Sequence, residues 1–294
     1  MYNIDISRKY CRIIYIIKYK GSIHMSIYAY MFDKDYIIRH NKHKSLLEMR
    51  HFHYHQAYEI LYIINGKKTY INTEGFYELT PGTVALIPPN MIHKTSDKEI
   101  CEKITFYFTR NYLSHSFSTQ AQELLLRCFS KKTLKIDDDS IEYFNRLCTE
   151  AIANSDNKSG FFVYTGKILK YLTEISLAQS EKNNGHESKI TAILKYIQNN
   201  SKHITSIEEI SAAFNITKFH LCRLFREELD TTVVQYLNVI KIQNLCNMLT
   251  DKKLSIAECS KQCGFHSSEY AARVFSRIMH MSPTEYRNAK QGGL

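Results

Sequence analysis

Ser206-Ile207-Glu208-Glu209-Ile210-Ser211 is echoed forty-nine residues later by Ser255-Ile256-Ala257-Glu258-Cys259-Ser260. At a spacing of fifty, Arg223-Leu224-Phe225 returns as Arg273-Val274-Phe275, and Tyr236 returns as Tyr286. Each copy opens with Ser-x-x-Glu, in which the serine oxygen accepts a backbone N–H of the first turn while the glutamate reaches back, so a helix is expected to start at Ser206 and at Ser255. Each short helix runs into a turn, Phe214-Asn215-Ile216 or Cys263-Gly264-Phe265, and then a second amphipathic helix carrying an arginine. That is the layout of two helix-turn-helix units in tandem.

A helix-turn-helix unit lays its second helix in the major groove, so a tandem pair implies two grooves about one helical turn apart. The charge agrees. The formal net charge is +10, and residues 188–294 hold 14 Lys/Arg against 9 Asp/Glu. Much of the remaining excess sits in residues 1–24 (Arg8, Lys9, Arg12, Lys18 and Lys20 against Asp5). The basic surplus therefore falls partly on the repeat, as polyanion binding requires.

The 294 residues are enough for two domains. Eight cysteines, at 11, 101, 128, 148, 222, 246, 259 and 263, show no Cys-x-x-Cys spacing and read as reduced, mostly buried thiols of a cytoplasmic protein. The apolar run Ile13-Ile14-Tyr15-Ile16-Ile17 is too short for a membrane span and lacks a small-residue cleavage site. Residues 1–24 are read as a basic N-terminal extension.

From Tyr28 to Phe108 the chain reads as short strands: Tyr58 to Ile64, Lys68 to Asn72, Phe76 to Leu79 and Val84 to Ile87, broken by Asn65-Gly66, Glu74-Gly75, Pro81-Gly82 and Pro88-Pro89-Asn90. That pattern predicts a compact antiparallel barrel or sandwich. Helical periods follow, predicting helices over 118–130, 139–154 and 161–179, while 181–188 is polar and aperiodic and reads as a linker. The division is thus 25–115 for a strand-built domain, 116–180 for helices whose apolar faces exceed what one barrel can cover and so offer the natural contact for a homodimer, and 189–294 for the tandem units. The whole is an α+β chain: a β-barrel, dimerisation helices and an all-α domain.

Within the strands His51, His53, His55 and Glu59 share one parity, so an extended chain would place them on one face, with His93 approaching from beyond the Pro-Pro turn. Three readings stand for that cluster. It is a divalent-metal site, a pocket that hydrogen-bonds a small ligand, or a satisfied polar lining. The ligand pocket is preferred, no cofactor is expected, and His53, His55, Glu59 and His93 are the metal candidates if one binds. No nucleophile beside a base and no glycine-rich phosphate loop is evident, so no enzymatic activity is expected.

Residues 190–287 resemble the DNA-binding domain of the AraC/XylS family of transcription regulators. The carrying residues are Tyr196-Ile197, Ser206 to Ala212, Thr217 to Phe225, Gln235-Tyr236-Leu237, Leu249, Ser255-Ile256, Gly264-Phe265, Tyr270, Arg273-Val274-Phe275 and Ser282-Pro283 through Tyr286-Arg287. The N-terminal half resembles a cupin through His53-x-His55, Glu59, Gly66, Pro81-Gly82 and His93, a common partner in that family. The resemblance implies a sequence-specific regulator, an activator that contacts RNA polymerase, responding to a small-molecule effector such as a sugar and binding double-stranded DNA with no membrane partner. Two other readings stay open: a metal-dependent cupin enzyme anchored on DNA, and a regulator whose sensor no longer binds ligand.

Helical spacing sends Leu221, Leu224 and Phe225 inward in the first unit, and Tyr270, Val274 and Phe275 in the second. Family positions make Phe219, Cys222 and Arg223, then Ser268, Glu269 and Arg273, the base readers. The two arginines suit guanine O6 and N7, while Lys218, Arg226, Arg277 and Arg287 are placed to contact phosphates. Cys259 and Cys263 read as core. The chain departs from the family at Asp230 and His280, where glycine usually follows each recognition helix, at Lys241 and Leu245 in the connecting helix, and at Ser267 and Ala271 in the second unit. Asp and His tolerate left-handed backbone better than most residues. The second unit is expected to be the less specific reader.

Overall fold

The computed structural model describes residues 17–19, 22–24, 35–42, 51–179, 188–250 and 254–291. Two sheets face each other. The first runs in the order β10 (Thr133–Lys135), β7 (Thr83–Ile87), β4 (Tyr58–Asn65), β9 (Glu102–Phe108) and β3 (Tyr36–Lys42); the second runs β6 (Phe76–Leu79), β5 (Lys68–Asn72) and β8 (His93–Asp97). Every described pairing is antiparallel. The remaining pair, β1 (Ile17–Tyr19) with β2 (Ser22–His24), is a hairpin inside the stretch read from sequence as an unpatterned extension. The rest of residues 1–24 and the linker residues 180–187 lie outside the described residues.

Alternation along the strands divides the residues between layers. In β4, Leu61 and Ile63 join Tyr70, Leu79, Ala85 and Ile87 between the sheets. Ile60 and Tyr62 point the other way, toward helices that cover the outside of the five-stranded sheet. Those helices are α1 (Arg110–Ser114), α2 (Thr119–Leu125) with a 3-10 turn over Leu126–Ser130, α3 (Asp138–Ala153) and α4 (Lys158–Ala178). Phe144, Leu147, Phe161, Ile168, Leu169 and Leu172 are buried there, each contributing roughly 1.5–3 kcal/mol of apolar burial. The expectation that these apolar faces exceed what one barrel covers is met only at the edges: Leu124, Tyr143, Val163 and Leu177 remain exposed. β10, inside the segment read as purely helical, ties it to the sheet through Thr133, Leu134 and Lys135.

Gly66 turns β4 into β5 at φ 83°, and a Cβ there would run into the Ile100 carbonyl oxygen. The cupin pattern keeps a glycine at this place because backbone fills the space of a side chain.

The C-terminal domain is α5 (Lys189–Asn200), α6 (Ile207–Ala213), α7 (Lys218–Leu229), α8 (Val233–Met248), α9 (Ile256–Gln262), α10 (Ser268–Met279) and α11 (Pro283–Gln291). Both serine caps form. Ser255 accepts from Glu258 N–H while Glu258 Oε2 accepts from Ser255 N–H at 2.8 Å. Ser206 accepts from Glu209 N–H, but Glu209 reaches one residue further back, to Thr205 N–H at 3.3 Å. The long helix α8 joins the two units, and its Lys241 is buried between them. Its ammonium donates to Ile204 O at 3.0 Å, just before the first unit, and to Gly264 O at 2.7 Å in the turn of the second. Lys241→Met is expected to lower stability by roughly 1–3 kcal/mol in denaturant titration, because two carbonyls lose their donor in the interior.

Sheet two is covered on its outside not by the sensor's own helices but by this C-terminal domain. Phe52, Tyr54, Ile71 and Ile92 belong to the same buried cluster as Leu221, Phe225, Tyr236, Ile240 and Phe275. The molecule is therefore layered as helices, five-stranded sheet, three-stranded sheet, and tandem helix-turn-helix domain.

Candidate functional site

The second helices of the two units, α7 and α10, carry the residues expected to read bases. Thr217 caps the first by accepting from His220 N–H, and Ser267 caps the second by accepting from Tyr270 N–H. Leu221, Phe225 and Leu229 anchor α7, with Leu224 half-buried at the edge. On its outer face Phe219 is 87% exposed, Arg223 and Arg226 are exposed, and Cys222 is half-buried. Arg223 is loosely held, with His220 Nδ1 at 3.4 Å and the Glu227 carboxylate at 3.9 Å, so a base edge can displace both contacts. Lys218 pairs with Glu208 at 2.6 Å between exposed side chains, a contact worth little in water.

On α10 the buried residues are Ala271, Val274, Phe275, Ile278 and Met279. The inward placement expected for Tyr270 is wrong. That ring is 39% exposed, its hydroxyl accepts from Asn238 Nδ2 at 3.0 Å, and Arg273 lies over its face at 5.9 Å. Ala271, small enough to be overlooked in a hydrophobic pattern, takes the inward position. Ser268 is half-buried, while Glu269, Arg273 and Arg277 are exposed. Arg226 and Arg277 make no ion pair among the described residues. Arg287 differs: its Nε donates to Leu249 O at 3.3 Å at the end of α8, and Nη2 lies 3.7 Å from Cys259 Sγ, so its guanidinium is engaged within the fold rather than offered to a phosphate. Cys259 and Cys263 are buried as core. Asp230 and His280 cap α7 and α10 in left-handed backbone, at φ 48° and 54°.

In the sensor, His53, His55, Glu59 and His93 come together and are buried, whereas His51 lies exposed outside the cluster. The 51–57 segment is not a continuous strand. Within it His53 forms a β-bridge, through reciprocal backbone bonds with His93 of 2.9 and 2.8 Å, and His55 O accepts from Asn90 N–H at 2.8 Å. One ring nitrogen from each of the three histidines lies within 4.8 Å of the others. Glu59 accepts at Oε1 from the Tyr107 hydroxyl at 3.0 Å, a partner absent from the sequence reading though β9 sets Tyr107 directly opposite Glu59. Its Oε2 lies 2.9 Å from His55 Nε2 and 3.3 Å from His93 Nε2.

Tautomers follow from the backbone. His55 Nδ1 faces Ala57 O and His93 Nδ1 faces Met91 O, both at 2.9 Å, and a carbonyl can only accept, so both Nδ1 atoms carry hydrogen. Each Nε2 then meets the Glu59 carboxylate as a lone pair unless it holds a second proton or shares a cation. Burial opposes the Glu59 charge, but its bonds to His55 and His93 outweigh burial and hold its carboxyl well below the usual range. Burial, with the neighbouring imidazoles, pushes His53 well below the ordinary histidine value, and its Nδ1 has no hydrogen-bond partner. Ring nitrogens of three histidines converging beside a carboxylate are a donor set a divalent transition metal takes, so these residues fit one. The same atoms can bind a ligand's hydroxyl or ammonium groups.

Deeper between the sheets, Lys68 and Asp97 form a buried ion pair. Nearby Lys103 is pushed down to about 8, chiefly by burial and secondarily by Lys68. The space between the sheets thus holds buried polar groups beside its apolar core. No described helix is long and apolar enough to cross a membrane.

The model of the AraC-like ligand binding domain matches residues 37–109, and that of a helix-turn-helix domain matches 210–289. The chain is 21% identical over 262 residues to the HTH-type transcriptional activator RhaR of Mannheimia succiniciproducens, covering 82% of this chain and 91% of that one. It is 25% identical over 252 residues to the uncharacterized HTH-type transcriptional regulator YfiF of Bacillus subtilis, covering 80% and 78%. Among solved structures, ToxT from Vibrio cholerae O395 is similar at 14% identity and a TM-score of 0.38, covering 88% of this chain and 99% of that one. With a ligand-binding module and a DNA-reading module at the places where the fold puts its pocket and its two exposed helices, the chain belongs to the AraC family of transcription regulators.

Proposed function

We propose that the chain is an effector-controlled activator of transcription that reads two successive major-groove segments with α7 and α10. The observation that carries this reading is the pair of matched exposed arginines, Arg223 and Arg273, on helices whose opposite faces are buried. Phe219, Cys222, Ser268 and Glu269 supply the other base-facing groups, and Lys218, Arg226 and Arg277 the phosphate contacts. His53, His55, Glu59 and His93 form the effector pocket, with a sugar among the ligands its acceptors and donors suit. The similarity to an activator supports activation through RNA polymerase. The exposed Leu124, Tyr143, Val163 and Leu177 of the sensor helices support a homodimer built there. The chain acts in the cytoplasm and catalyses no reaction.

Selection of duplexes from a random pool at physiological salt tests the reading. Enrichment of a two-part motif with its halves about one helical turn apart is the expected result; sequence-blind, purely salt-dependent retention refutes it.

The convergence of ring nitrogens from His53, His55 and His93 beside the Glu59 carboxylate favours a second reading, in which a divalent cation is part of the sensor's signal. Elemental analysis of the purified chain is expected to find stoichiometric metal that His53→Ala and His55→Ala abolish. Metal-free protein with unchanged duplex binding on adding zinc, manganese or iron salts would remove that reading and leave the organic effector.

A further inference from the structure

The two segments that carry the pocket histidines have a second face. In the 51–55 segment His53 and His55 point into the pocket, and the residues between and before them, Tyr54 and Phe52, are buried among the helices of the DNA-reading domain. In the other segment His93 points inward, and its neighbours Ile92 and Lys94 meet that same domain. Reciprocal backbone bonds between His53 and His93 join the two into one wall.

Four of the polar contacts across this wall fall on the end of the first recognition helix. The Lys94 ammonium, on a side chain only 3% exposed, donates to Asp230 Oδ2 at 2.8 Å and to the Asp230 carbonyl. Ser96 Oγ donates to the same carboxylate at 3.2 Å, and Lys98 Nζ donates to Glu227 O at 2.8 Å. Gln243 Oε1 accepts from Ile92 N–H at 3.3 Å, and Tyr54 OH lies 3.8 Å from Met281 Sδ, one residue past the cap of the second recognition helix. Asp230 stands in left-handed backbone, which glycine adopts with less cost, so helix capping does not explain the aspartate. Its carboxylate instead partners a lysine that would otherwise be a buried unpaired charge, which is strongly destabilising.

We infer that the histidine-bearing wall is a latch: Lys94 and Ser96 hold Asp230 and keep the DNA-reading domain docked on the sensor, and a ligand that rearranges the histidines loosens this contact and releases the domain. The inference rests on the pocket being the effector site. Any ligand that bonds His93 or Glu59 must displace bonds the pocket makes to itself, and β8 cannot shift its inward face without shifting Lys94 and Ser96. In the docked form the tandem domain is tied to the sensor as one unit, so it cannot turn onto a duplex independently of the sensor.

Two variants spare the fold. Asp230→Gly suits left-handed backbone, and Lys94→Met keeps the buried stem without the charge. In the effector-free full-length chain, each is expected to enlarge the molecule in small-angle scattering and to raise affinity for a selected duplex roughly 5- to 100-fold, with the double variant no stronger than either single one. Glu59→Gln is expected to shift affinity in the parent chain and to have no further effect in Asp230→Gly, since both act through one element; additive effects would instead mark two independent sites and overturn the coupling. Unchanged dimensions together with unchanged affinity overturn the latch. Loss of all sequence-selective binding in the parent chain would refute the functional reading, and scattering would still decide whether Lys94 and Asp230 hold the domains together.

Discussion

Replacing Arg223 by alanine is expected to cost about 1–3 kcal/mol of discrimination at the base pair it reads, which is roughly 5- to 150-fold in relative affinity among sites. The loss should be confined to one half of the selected motif, and Arg273→Ala should relax the other half. The loss at Arg273 should be smaller, because that guanidinium already rests on the Tyr270 ring and its neighbours Ser268 and Glu269 supply only short contacts. Arg226→Ala, by contrast, should weaken binding to every sequence alike and reduce the salt slope by about one. Competitive binding against a panel of single-base variants separates these patterns. Equal loss on all sequences for Arg223→Ala would place that arginine on a phosphate.

Gly264→Ala is expected to be the most damaging single-methyl change in the DNA-reading domain. Gly264 turns α9 toward α10 at φ 81°, and a Cβ there meets the carbonyl group of Lys202, backbone that cannot swing aside. Left-handed strain alone costs on the order of 1–3 kcal/mol, and the collision adds to it. The same turn supplies the carbonyl that Lys241 holds. Chemical denaturation should show a lowered midpoint, and selective duplex binding should fall with it, because α10 loses its angle to α7. The matching position in the first unit, Asn215 at φ 51°, should accept glycine without loss.

The parts of this molecule visible in the sequence are those whose physics is local. Ser206 and Ser255 announce their helices because a cap and its glutamate lie three residues apart. His53, His55, Glu59 and His93 were identifiable as a set because strand alternation and a tight turn bring them together, although the chain at 51–57 is irregular and His51 does not follow the parity. Tyr270 was misplaced because large residues dominate a helical pattern, and Ala271 next to it carries the actual inward position. Arg287 was misassigned because no local pattern shows that the end of α8 lies beside it. His93 was expected to approach from a neighbouring strand, but the span of β8 was not legible: His-Lys-Thr-Ser-Asp has no apolar alternation, yet all five residues are buried, one face toward the histidine cluster and the other toward the second domain. Nor does any periodicity link Lys94 to Asp230 across 136 residues. Long-range polar pairing leaves its trace only as an oddity, here an aspartate where glycine would serve.

Lys241 has a consequence for the DNA rather than for the protein. Its ammonium ties the segment before one reading unit to the turn of the other, on a helix spanning both, and so makes the pair a caliper with a set jaw. Each base pair inserted between the two half-motifs rotates the far groove by about 35° about the duplex axis. A fixed jaw cannot follow that rotation, so such a site must bend or untwist to be read at all. On the proposed two-groove reading the chain would therefore measure the distance between two words as strictly as it reads either of them.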